Sequence, residues 1–133
     1  MTIRLRNVSR FRQELSNFSG NRVPEDVRIL QQRIGLDLLR RIIFRTPVLT
    51  GRARGNWQAT IGPAGAATVN ATDMDGGATL SSGAVKISGA PPYSVITLFN
   101  NLKYIRALEE GSSKKAPRGM LKISTAEVNA QFK

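Results

Sequence analysis

Hydrophobic residues recur with a helical period from Pro24 to Thr46. At about 100° per residue, Val27, Leu30, Ile34, Leu38 and Ile42 form one stripe. Ile29, Leu36, Leu39 and Ile43 fall on roughly the opposite side. Pro24 suits a first helical turn. Glu25 and Asp26 sit where the helix dipole favours acids, and Arg40, Arg41 and Arg45 where it favours bases. Pro47 stops the pattern and biases Thr46 away from helix. A long helix over 24–46 is therefore predicted. Its second stripe requires burial on both sides, against the N-terminal or C-terminal segments of the same chain or against another subunit. Ile29, Leu36, Leu39 and Ile43 are thus the candidate subunit interface. Gly35, between the stripes, leaves room for close approach of a neighbouring backbone.

The rest of the pattern is shorter-ranged. Residues 2–6 alternate, a weak strand signal. Val8, Phe11, Leu15 and Phe18 then recur at spacings of three and four, as on one face of a short helix capped by Asn7 and ended by Gly20-Asn21. Residues 1–20 read as a strand/helix extension. Past the Thr50-Gly51 turn, an arginine-led segment enters a strand in which Trp57, Ala59 and Ile61 alternate with polar residues. Residues 62–93 are Gly-, Ala- and Ser-rich and predict a long loop, with at most a short helix over 77–88. Residues 94–100 carry apolar side chains on both faces, which fits a central strand. Leu102 to Glu110 predicts a short helix with Tyr104, Ile105 and Leu108 inward, closed by Gly111. Pro117 opens a last helix with Met120, Ile123 and Val128 inward. The class is α+β: one domain over 1–133, with a long helix packed on a small antiparallel sheet, short accessory helices and a C-terminal helix.

Charge changes the picture. Twenty basic residues stand against nine acidic ones, a net +11, so an anionic neighbour is expected, with nucleic acid first. The middle of the chain is nearly uncharged and both ends are basic. No apolar run is long enough to span a bilayer, and Met1 to Gln13 lacks the apolar core of a signal peptide. A soluble protein made in the cytoplasm, without membrane partners, is expected.

Candidate chemistry is sparse. The chain has no histidine and no cysteine, which removes Ser-His-Asp and Cys-His arrangements and the commonest metal ligands. Ser112, Ser113 and Lys114 adjoin, but nothing supplies an oxyanion site. Asp73 and Asp75 in DMDGG faintly resemble a calcium loop without its later ligands. No phosphate-loop or dinucleotide spacing appears. Neither an enzyme nor a cofactor is expected. Nucleic-acid readout is also incomplete, which leaves sequence-independent phosphate attraction as the second reading.

Two motifs remain. The first is Thr46-Pro47-Val48-Leu49-Thr50-Gly51-Arg52-Ala53-Arg54, followed by Trp57. The second is Asn100-Asn101-Leu102-Lys103-Tyr104, then Leu108-Glu109-Glu110-Gly111, then Ala116-Pro117 and Gly119-Met120. Their order and spacing resemble the tailed-phage family of minor tail protein Z and related head–tail joining (neck, tail-completion) proteins. The resemblance covers residues 20–130, and the middle loop departs from it. It implies a virion structural protein at the neck or the head-proximal end of the tail. Its partners would be copies of itself in a ring, generally six-fold, the neighbouring head-connector and tail-terminator or tail-tube rings, and passing DNA.

Roles for the motif residues are argued from their chemistry. Pro47 and Gly51, with the turn at Thr50-Gly51, set the direction in which the strand leaves the helix. Trp57 is the expected aromatic core anchor. Tyr104 is expected to pack with its hydroxyl at a wet edge. Asn100, Asn101, Gly111, Pro117 and Gly119 complete the second motif as turn and loop residues. Arg52 and Arg54 face a DNA channel or pair with Glu109 and Glu110 of the same or the next subunit. Lys114, Lys115 and Arg118 form a basic loop with the same two alternatives.

Overall fold

The expected long helix forms over Val23–Arg45 (α1). The computed structural model describes residues 1–5 and 23–132, with the backbone alone at 3–5. The short helix expected over Val8 to Phe18 lies outside the described residues. Strand β1 is Thr2–Leu5 and a four-residue turn of helix, α2, is Arg52–Gly55. Then come β2 (Gln58–Ile61), α3 (Gly77–Ser88), β3 (Ile96–Phe99), α4 (Ile105–Glu109) and α5 (Leu121–Gln131). The chain is α+β, as its pattern predicts. No helix among the described residues is long and apolar enough to cross a membrane.

The three strands form one antiparallel sheet in the order β1-β3-β2. Leu98 faces Ile3 on one side and Ala59 on the other. All four residues of β3 are buried, as the apolar residues on both its faces require of a central strand. Ile96 and Leu98 point into the main core with Trp57 and Ala59. Ile61, expected inward, is exposed, because it ends the short outer strand.

One expectation about the middle of the chain is corrected. Residues 62–93 are not one long loop, since 77–88 are helical. Residues 62–67 form a strap across the far face of the sheet. Thr97 Oγ1 donates to the Gly62 carbonyl, Gln58 Nε2 to that of Ala67, and Asn101 Nδ2 to those of Gly65 and Ala67. Small residues let this strap lie close, with Gly65 over the Phe99 ring.

Helix α3 runs antiparallel to α1. Its start meets Ile43 and Phe44, its middle meets Leu39, and its end accepts hydrogen bonds from Gln32 at the carbonyls of Ser88 and Ala90. Gly83 is the closest point, where a Cβ would drive into the Leu39 side chain. The second stripe of α1 therefore splits. Leu39 and Ile43 are fully buried within the chain's own core, because α3 covers them, so they are not a subunit interface. Ile29 and Leu36 remain exposed.

Candidate assembly surface

The residues of the two motifs meet in the folded chain and form its structural hub. Where α1 ends, the buried Thr46 hydroxyl donates to the Ile42 carbonyl and accepts from Trp57 Nε1, each at 2.7 Å. Trp57 is buried, as expected of a core anchor. Pro47 is half-buried, and the exposed Thr50 accepts a hydrogen bond from the Arg52 amide. Gly51 has a φ of 87°, and a Cβ there would stand 2.8 Å from the backbone of Asp73 and Met74. Only glycine satisfies both conditions. The arginine-led segment is thus helical, not the start of the strand.

The second motif closes on the first through Asn100. Its buried amide donates to the Ala53 carbonyl at 3.0 Å, and its side-chain oxygen accepts from the Leu102 amide. Asn56, between them, donates to the Arg52 carbonyl and accepts from the Val69 amide. The loop 110–120 folds back so that Gly111 packs on the Pro117 carbonyl and Gly119 on that of Glu109. This places the buried Glu109 carboxylate at the start of α5, where it accepts from the amides of Met120, Leu121 and Lys122 at 2.7–2.9 Å. A carboxylate there meets the unpaired amides and the positive end of the helix dipole.

The expected pairing of Arg52 or Arg54 with Glu109 within the chain is therefore corrected, because Glu109 is held by backbone amides. Arg54 donates to the carbonyls of Phe44, Thr46 and Met74, and its guanidinium lies 6.0 Å from the centre of the Phe44 ring. It braces the end of α1. Arg52, Lys114 and Arg118 are exposed, and Lys115 reaches the Val48 carbonyl at 3.5 Å. Tyr104 is exposed at the start of α4, where it was expected to pack inward. Pro117, expected to open the last helix, is exposed on the loop, and α5 begins only at Leu121.

Around this hub the surface is both apolar and basic. Leu49 is 91% exposed, Met74 62% and Leu36 39%. Ile29, Leu36 and Phe44 fall on one face of α1, interleaved with Arg33 and Arg40 on the same face. Beside that face opens a groove of about 550 Å³ between α1, α3 and α5, lined by Arg33, Leu36, Asp37, Arg40, Leu80 and Phe132 among others. Arg41 and Arg45 pair with Glu127 of α5, and the Arg45 guanidinium holds its carboxylate below the ordinary range. Asp73 caps α3, accepting from Thr79 Oγ1, the Thr79 amide and the Gly76 amide. The Thr79 hydroxyl foremost lowers its pKa. The DMDGG segment is thus a helix start. Among the described residues no three His, Cys, Asp or Glu side chains gather to hold a metal ion.

Comparison with protein-family models, with curated proteins and with solved structures returned no match.

Proposed function

We propose that this chain is a structural subunit of the phage head–tail interface, part of a ring that completes the tail or neck and lets DNA pass. The observation that carries the reading is the hub. Two motifs forty-odd residues apart, which resemble those of the head–tail joining family, lock onto each other through Asn100 and the Ala53 carbonyl. Residues held in a buried scaffold build a rigid subunit, and what stays outside is apolar and basic surface of the kind that assembly covers. The net charge of +11 suits a wall near packaged DNA.

The test is genetic. Deleting the gene from the phage or prophage that carries it should leave filled heads and finished tails unjoined in negative-stain micrographs. Supplying the protein in trans should restore joining. Normal joined particles from the deletion strain would overturn the reading. A basic module that binds nucleic acid without sequence preference is the second reading, supported by the charge alone. It predicts DNA binding by the isolated chain that weakens steeply with salt.

A further inference from the structure

The groove between α1, α3 and α5 has an apolar floor of Leu36, Leu80, Ala84 and Phe132 and a basic rim. Arg33 has no ion pair or hydrogen bond among the described residues. Arg40 reaches only the Asp37 carboxylate, at 3.5 Å, and that group is held closer by Arg41, at 3.2 Å. The chemistry that fits is an apolar side chain with carboxylates beside it. A phosphate backbone offers the charge but nothing to cover Leu36 and Leu80.

The chain carries such a feature on its own surface. Met74 is exposed with an aspartate on each side. The turn that holds it is firmly built: Gly51 packs under its backbone, Arg54 grips the Met74 carbonyl, and Asp73 caps α3. Asp75 is exposed and uses one oxygen to accept from the Gly77 amide. Methionine is flexible enough to fill an irregular apolar cleft.

We infer that the groove is a socket for the Asp73–Met74–Asp75 turn of a second copy of this chain. Met74 covers Leu36 and Leu80, and Asp75 meets the guanidiniums of Arg33 and Arg40. Plug and socket are unlike patches, so a contact in which each copy offers its plug to the next can propagate and close into a ring where the rotation allows. This deepens the ring reading by naming the contact that a ring would use.

The experiment is sedimentation velocity on the full chain, with and without nuclease treatment, across protein concentration and at low and moderate salt. The wild type should self-associate. Met74→Ser, Arg40→Glu and Asp75→Arg alter exposed positions, so each should stay folded by circular dichroism and weaken association about tenfold. Mixing the Arg40→Glu protein with the Asp75→Arg protein should restore it, since each supplies the intact or charge-swapped partner that the other lacks. A chain monomeric up to about 1 mM overturns the contact. So does association that the three variants leave unchanged, or association that nuclease abolishes, which would mark nucleic acid as the bridge. If association survives the variants, this contact fails while a ring through another surface stands. The particle-joining assay judges the ring reading separately.

Discussion

Asn100 donates its side-chain amide to the Ala53 carbonyl at 3.0 Å, 47 positions back in the sequence. The central strand ends just before the first of these residues and the short helix α2 contains the second, so one buried hydrogen bond ties sheet to helix. Asn100→Leu should leave the Ala53 carbonyl and the Leu102 amide unpaired in the core. A loss of about 1–3 kcal/mol is expected from urea denaturation, with the fold retained. A variant as stable as the wild type would show that the hub does not hold the fold.

Glu109 should matter more than its place in the second motif suggests. Three amides of α5 converge on its carboxylate. Glu109→Ala leaves the Met120 and Leu121 amides buried without an acceptor, so a loss of about 2–3 kcal/mol is expected. Glu109→Gln keeps an acceptor but not the charge, and should lie between the two in the same denaturation series.

The split of the second α1 stripe gives a paired test. Leu36→Asp places a carboxylate on exposed surface, and thermal unfolding should shift by the equivalent of about 0.5 kcal/mol or less. Leu39→Asp buries a charge against Gly83 of α3 and should prevent folding, with a cost above about 4 kcal/mol. Equal effects from the two substitutions would contradict the packing of α3 on α1.

Acid should loosen α3. The folded-state pKa of Asp73 is lowered, chiefly by the Thr79 hydroxyl. A lowered carboxylate pKa contributes stability that is present above the unfolded value of about 4 and is lost as pH falls through the folded value. Protection of the α3 amides from hydrogen exchange, measured against their intrinsic exchange rate, should fall below that pH in the wild type. In Asp73→Asn, protection should be lower at neutral pH and change less on acidification.

Much of this was legible in the sequence where local signals agree. Pro24, the acidic first turn and Pro47 mark α1 to within a residue or two. The apolar residues on both faces of Ile96–Phe99 identify the central strand. Helix α3 was legible only as an option within a long loop, although at its observed bounds of 77–88. Its Gly, Ser and Thr content argues against helix, yet those small residues are what let it sit on Leu39. The spacing of Thr79, Gly83 and Ile87, behind an aspartate able to cap, was the readable signal. Glu109 was misjudged for another reason. Its partners lie 11–13 residues on, brought back by a loop whose path no local pattern gives. Tyr104 turned outward because Leu102 and Ile105 take the buried positions beside it.

The measurement that tests the central claim most directly is quantitative mass spectrometry of phage particles purified from a host that expresses the gene. The neck reading predicts a few copies per particle, in fixed ratio to a known ring of the head–tail interface. Absence of the protein from mature particles would contradict it.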